Sequence, residues 1–315
     1  GDLFYADTAL RANNVRLVTA KNDIAFSLGV SYPSLDALTT TPSKTKLILD
    51  VKPSAIVLDE IAYFVPELRK NKELQGLMND PIKVNAKAKG TLDDLQLSSL
   101  QLQHLRNKLS LSARLLHVMK PEALMVQAQL GELSLHKNDL RKELGKLIPD
   151  SIWAYVPDDA VIRGRINGNA EDLTMDLNAR TSLGNLTVAG NLQHASDAYR
   201  SVYDLRLTTQ DLALQKILKD TTLGPVTAQL TLKGAGYDLE TMRASVKGNI
   251  SQAGYNGYTY GGVVLDGNIN RGRVDASLQS ADPHMDLDLN ISGQMGKRIS
   301  DLMVDADVRS VDLHA

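Results

Sequence analysis

The chain has 315 residues, of which 43% are hydrophobic, 4% aromatic and none cysteine, and its formal net charge is −2. This composition excludes disulfides, thiolate metal sites and a cysteine nucleophile, and no basic run or stripe offers the footprint of a nucleic-acid binder. No window approaches the roughly 18 to 20 consecutive apolar residues of a membrane-spanning helix, and the N-terminus lacks the charged-then-apolar pattern of a signal peptide.

Residues 1 to 58 read as short strands at Phe4 to Leu10, Val15 to Thr19, Asp23 to Tyr32 and Lys46 to Val51, with a Ser/Thr/Pro loop from Leu38 to Ser43. They form the tail of a preceding repeat. A helical stretch follows from Asp59 to Asn79, with Phe64, Val65 and Leu68 on one side and Pro66 breaking its regularity, as a cap over an open end of a sheet. Ile82, Val84, Ala86 and Ala88 then alternate with Lys83, Asn85, Lys87 and Lys89, the period of two that a half-buried strand needs. Leu95 and Leu97 are followed by Leu100 and Leu102, a change of parity that predicts a β-bulge near Ser98. Leu109, Leu111, Ala113 and Leu115 continue the pattern, and Leu124 to Leu135 ends it before a second helical stretch, Asn138 to Ile148.

After Ile162 and Ile166, the next alternation carries Leu173, Met175, Leu177 and Ala179, then a tight turn expected at Gly184-Asn185, then Leu186, Val188, Gly190 and Leu192. Tyr203, Leu205 and Leu207 precede a third helical stretch, Leu212 to Asp220. Leu230 and Leu232 lead on to Met242, Ala244, Val246, Gly248 and Ile250, and Asn256-Gly257 is the strongest short hairpin signal in the chain. Four more alternations end with Met285, Leu287, Leu289 and Ile291 and with Leu302, Val304, Ala306 and Val308.

One phrase recurs three times. It is an alternation running into a glycine, a three-residue turn and Asp-Leu: Val84 to Leu95, Ile162 to Leu173 and Ala228 to Leu239. Gly90, Gly168 and Gly234 put the copies 78 and 66 residues apart, and a helical stretch precedes each. This periodicity predicts a repeat array in which each unit buries apolar surface against its neighbours. The segments are 1–58, 59–136, 137–208 and 209–315, which together make one continuous β domain. Gly1-Asp2-Leu3 starts mid-pattern and a further helix is expected where Ser310 to Ala315 stops, so the chain reads as a piece of a longer protein.

Catalytic patterns are not found. His104, His117, His136, His194, His284 and His314 lack zinc-site spacing, and Asp286, Asp288 and Asn290 read as the solvent face of a strand rather than a calcium loop. Gly254 to Gly262 is not followed by a phosphate-loop helix, no serine has a nucleophile-elbow frame, and the sequons at Asn185, Asn249 and Asn290 are chance matches if the source is bacterial. The expectation is a protein that is not an enzyme and uses no cofactor.

The Phe64-Val-Pro-Glu-Leu68 stretch, the Gly-x-x-x-Asp-Leu turns, Lys216 to Asp220 leading to Leu223 to Ala228, and Tyr255 to Tyr260 followed by Leu265-Asp-Gly267 resemble the TamB/AsmA-like envelope proteins in the form seen in Bacteroidetes. The resemblance implies a periplasmic trough of β-strands, anchored at the inner membrane of a Gram-negative bacterium. It also implies phospholipid transport between the membranes, or outer-membrane β-barrel assembly with a partner of TamA or BamA type. No catalytic residues come with it.

An apolar sheet face needs a cover, and the few helices cannot supply one. The expected fold is all-β with a few short helices, an elongated antiparallel sheet curled into a U-shaped apolar groove; the alternative is a closed β-sandwich. Small residues at Ala86, Ala88, Gly164, Gly190, Ala244 and Gly248 favour a groove left unfilled. Its expected lining is Ile82, Val84, Ala86, Ala88, Leu95, Leu97, Leu109, Leu111, Ile162, Ile166, Leu173, Met175, Leu177, Leu186, Val188, Leu230, Leu232, Val246, Ile250, Leu287 and Leu289. The expected occupant is a phospholipid or another acyl-chain lipid. A scaffold that pairs with nascent outer-membrane strands and an inert spacer are the other readings.

Overall fold

A computed structural model describes residues 1–145, 147–148, 150–238, 240–295 and 299–311. Leu239, His314 and the end of the helix expected over 310–315 lie outside the described residues. The chain forms two compact units, Gly1–Asn169 and Ala170–Ala315. The strands of the first are β1 Asp2–Ala6, β2 Ala9–Val18, β3 Asp23–Ser31, β4 Lys46–Ile56, β5 Ile82–Thr91, β6 Asp94–His104, β7 Asn107–Leu116, β8 Met125–His136 and β9 Asp159–Gly168. Each pairs antiparallel with the next in chain order.

The second unit holds β10 Leu173–Thr181, β11 Gly184–Gln193, β12 Val202–Ala213, β13 Leu223–Ala235, β14 Arg243–Tyr255, β15 Tyr258–Tyr260, β16 Val263–Asn270, β17 Arg273–Asp282, β18 Met285–Met295 and β19 Ile299–Val311. Pairing again follows chain order, and β15 and β16 share β14 as partner. The sheet is not closed: among the described residues β1 pairs only with β2, and β19 only with β18.

Alternation located most strands, and turn chemistry set their ends. The stretch Phe4 to Leu10 is two strands, because Asp7-Thr8 forms a two-residue turn between Ala6 and Ala9. The turn expected at Gly184-Asn185 lies at Ser182-Leu183, with Thr181 facing Gly184. There the Leu183 amide donates to Thr181 Oγ1, which donates to the Gly184 carbonyl, so the threonine closes the reversal and Gly184 begins the next strand. Asn256 and Gly257 form the expected hairpin, both with positive φ (48° and 85°), the backbone of a type I′ turn. The third copy of the phrase departs from the other two: β14 starts at Arg243 and not at its Asp-Leu pair.

The bulge expected near Ser98 is present, and it belongs to a series. Ser98 is the extra residue of β6 against both β5 and β7. Asn14 in β2, the Lys52-Pro53 pair in β4 and Gly131 in β8 mark the other irregularities of the first unit. A proline, which has no amide to donate, is tolerated at a bulge. In the second unit β12 has its bulge at Gln210-Asp211, with Asp211 at φ 52°. Helical segments follow β4, β8 and β12, each a strand with a bulge and each four strands after the last. This spacing does not extend to β16, which turns directly into β17, and short helical turns also follow β3 and β7.

The helices are shorter than the sequence pattern. Asp59 to Asn79 is not one helix but α2 Leu58–Ile61, α3 Glu67–Lys70 and a 3-10 turn Lys72–Leu77, broken at Pro66 as its missing donor requires. Phe64 is 83% exposed instead of packed. The Ser/Thr/Pro loop holds α1 Ala37–Thr40 and a 3-10 turn Pro42–Lys44. Asn138 to Ile148 gives α4 Lys137–Leu144, followed by an unexpected α5 Asp150–Trp153, and Leu212 to Asp220 gives α6 Leu214–Leu218.

A closed sandwich is not formed. The accessible surface is 19,291 Å² for a 34.3 kDa chain, whereas even two separate compact units of half that mass would expose about 15,500 Å². Among the described residues the largest side chains below 2% exposure are the serines Ser201 and Ser280, while Trp153, Val263, Tyr203 and Leu130 keep 3%, 4%, 6% and 7%. Two sheets packed face to face would bury leucines and isoleucines completely.

Candidate functional site

Residues directly opposite in antiparallel strands share a face, so the register shows which side chains lie in line. In the first unit one row runs Ala12, Leu28, Leu49, Ala88, Leu97, Ala113, Ala128, Ile166 across eight strands. The next runs Val15, Phe26, Val51, Ala86, Leu100, Leu111, Leu130, Gly164 through the same strands. Ile82 and Val84, Leu95, Leu109 and Ile162 lie in flanking rows of this face.

The second unit repeats the arrangement over nine strands. Leu177, Val188, Leu207, Leu230, Gly248, Leu265, Leu278, Leu289 and Ala306 form one unbroken apolar row. Met175, Leu232 and Val246 stand in the row on one side of it, with Leu173 one row beyond. Leu186, Ile250 and Leu287 stand on the other side. Every residue expected to line the floor is thus on a single face within its own unit. Those missed by the sequence reading are chiefly Ala12, Phe26, Leu28 and Leu49 in β2 to β4, whose parity is hidden by the bulges at Asn14 and Pro53.

Most of these side chains are half-buried. β10 alternates throughout, with Leu173, Met175 and Leu177 partly covered and Thr174, Asp176 and Asn178 exposed. The glycines on this face do not mark free space. Gly190 (φ 145°) has no room for a Cβ beside the Asp204 carbonyl, nor has Gly248 beside that of Gln229. Their smallness allows neighbouring backbones to approach, which corrects the expectation that they leave a groove unfilled.

The opposite face is polar and cross-linked. Lys247 and Asp266 pair at 2.7 Å, Lys233 and Asp204 at 2.8 Å, Arg114 and Asp94 at 2.6 Å. Hydrogen bonds from Arg114 hold the Asp94 carboxyl below its ordinary range. Asp286 and Asp288, weighed as calcium ligands, both bind Arg309 at 2.8 Å from β19. Two hollows open on this polar face in the first unit, of about 750 and 820 Å³, and both sit at bulges. Ser98 and Arg114 border one, Pro53, Lys83, Lys108 and Gly131 the other. Bulged strands bend locally, which accounts for the concavity there.

The buried titratable groups secure the helical end of the first unit. His104 Nδ1 lies 2.5 Å from Glu143 Oε1, both largely buried, and Arg106 binds Asp139 at 2.8 Å. The Arg106 side chain and amide hold the Asp139 carboxyl below its usual range against the opposing effect of burial. Trp153 is 3% exposed and donates Nε1–H to the Ile148 carbonyl. Glu60 accepts from Thr19, Asn22 and the Lys21 amide, tying α2 to the β2–β3 turn. In the second unit Asp282 accepts from the Gly261 and His284 amides and from Tyr258, and these bonds outweigh burial and depress its pKa. His117 and His136 pair with Asp93 and Asp159, and His194 lies in the loop after β11.

No family model, curated protein or solved structure matches the chain.

Proposed function

We propose that the chain is a periplasmic segment of a TamB/AsmA-like envelope protein, and that its apolar sheet face curls into a U-shaped floor that holds the acyl chains of phospholipid. One observation carries the reading: unbroken apolar rows cross eight and nine strands, yet among the described residues every bulky side chain in them except Leu130, 7% exposed, is only partly buried. An acyl chain of about 16 carbons costs on the order of 10 kcal/mol to expose to water, and a continuous apolar floor offsets most of that. Spacing between rows follows the strand repeat, so the floor has no single critical side chain and lipid slides along it rather than leaving it. Native mass spectrometry with organic extraction tests the idea. Co-purified phospholipid, displaced when Leu207 and Leu230 are replaced by Asp, is the expected outcome; a lipid-free wild-type chain that takes up no phospholipid from vesicles overturns it.

A second reading has its own observation. Residues 301–310 of β19 are exposed throughout, and β19 pairs only with β18 among the described residues. Such an edge can template an incoming strand, as a scaffold for outer-membrane β-barrel assembly with a partner of TamA or BamA type would require. Proline at Asp305 and Asp307 should abolish strand capture and leave lipid uptake intact; charges in the rows should do the reverse.

A further inference from the structure

The polar face of the first unit carries its cations in rows. Lys83, Gln103 and Lys108 stand opposite one another on β5, β6 and β7, and Lys89, Gln96, Arg114 and Gln127 do so on β5 to β8. Cation and carboxamide alternate in both rows. The strand repeat puts the backbones of Lys83 and Lys108 about 10 Å apart, and separates the rows by about 20 Å along β7, from Lys108 to Arg114. The carboxylates of this face are already engaged: Arg114 holds Asp94, Arg163 holds Glu132, Lys52 holds Asp50, Arg16 holds Asp23 and His136 holds Asp159. Lys83, Lys89 and Lys108, all exposed, enter no ion pair among the described residues.

Loops and helices included, residues 82–168 hold 13 Lys and Arg against 9 Asp and Glu, whereas residues 263–311 of the second unit hold 5 against 8. The cations come from separate strands and make no run in the sequence. Between the two rows lie the hollows at the bulges, and they adjoin. Ser110 borders one and Ser112 the other, as do Gly131 and Gln129, each pair being successive outward positions of β7 or β8. At about 820 and 750 Å³ each is the size of a site for a small organic ligand, and together they make a trough with Lys83 and Lys108 at one end and Lys89 at the other. Its walls offer carboxamides and serine hydroxyls, which both donate and accept. Strands β4 to β9 contain no Phe, Tyr or Trp, so no ring is present on which a nucleic-acid base could stack.

We propose that this trough binds a linear acidic polysaccharide, with Lys83, Lys89 and Lys108 on its anionic groups and Gln96 and Gln127 on its hydroxyls. A compact anion is served by one cluster of cations. Lysines at both ends of a trough about 20 Å long suit an extended ligand that carries charge at intervals, and the groups between them suit a ligand rich in hydroxyls. The trough lies on the opposite face from the apolar rows, and this inference does not rest on their holding lipid.

Calorimetric titration of the 315-residue chain with polygalacturonate at low ionic strength tests it. Wild type should bind polygalacturonate, more weakly as salt is added, and should ignore neutral dextran. Lys89→Glu with Lys108→Glu should weaken binding about tenfold or more, and Lys89→Gln with Lys108→Gln should act in the same direction without adding charge. Gln96→Ala with Gln127→Ala should cost about fivefold or more. Lys233→Glu with Lys247→Glu, the same charge change on the polar face of the second unit, should leave the affinity unchanged. Polyglutamate, which has carboxylates without hydroxyls, and poly(dT) should each bind at least about tenfold more weakly than polygalacturonate. Failure of wild type to bind polygalacturonate, wild-type affinity in the first-unit lysine or glutamine pairs, or an equal loss in the second-unit pair would each overturn the proposal. So would polyglutamate or poly(dT) binding as tightly as polygalacturonate. Urea midpoints of the variants tell a lost site from a lost fold.

Discussion

The two units build the same kind of apolar sheet face by different means. In the second, β10 to β12 and β16 to β18 pair without a register shift, the shifts lying between β12 and β14 and between β18 and β19, with one five-residue helix at an end. In the first, β2, β4, β6 and β8 all contain an extra residue, and paired helical segments close one end. A bulge opposes two residues to one, and when both neighbouring strands accommodate the same extra residue the faces stay aligned beyond it. The difference shows that parity along a single strand is not what defines the face; register across strands is. Leu95 and Leu97 have the opposite sequence parity to Leu100 and Leu102, yet all four lie on one side.

Deleting Ser98 is the hardest test of that comparison. It should turn Leu100 and Leu102 to the polar face or break the pairing, destabilising the first unit by more than about 4 kcal/mol. Urea unfolding followed by hydrogen exchange should show the loss in β5 to β7 and spare β11 to β13. A variant of wild-type stability would mean that β6 can shift its register freely. Next comes Trp153→Ala, which removes the largest buried side chain of the helical end and should cost about 3–4 kcal/mol. Exchange should rise in α4 and α5 while the rows remain protected.

The acid response should also differ between the units' ends. The folded pKa of Asp139 is depressed, so its contribution is fully present above the unfolded value near 4 and is lost as pH falls through the folded one. Acidification below about pH 4 should therefore loosen α4, and Asp139→Asn should abolish that step when α4 exchange is followed against pH. The smallest effect belongs to the polar face. Lys247 and Asp266 are 63% and 41% exposed, and Lys247→Ala should change the urea midpoint by less than about 1 kcal/mol equivalent.

Legibility in the sequence followed the same physics. Alternation located β10 and β11 closely, because their unbroken pairing preserves the period. The Asn256-Gly257 hairpin was legible because positive φ at both positions demands those residue types. The Ser182-Leu183 turn was not, since its stability comes from the Thr181 hydroxyl, a side chain inside the strand pattern. Likewise the spacing of Phe64, Val65 and Leu68 reads as one face of a helix, but the helix breaks at Pro66 and the Phe64 ring stands in solvent. The apolar-face residues of β5 to β14 are legible from parity, whereas those of β2 to β4 need the register.

Strict chain-order pairing also bears on how such a molecule is made. Each strand finds its partner in the segment synthesised just before it, so loop closures are short and no strand must wait for a distant one. Within each unit the sheet can grow one strand at a time as the chain emerges, and an incomplete product differs from the finished one only in the position of its last edge.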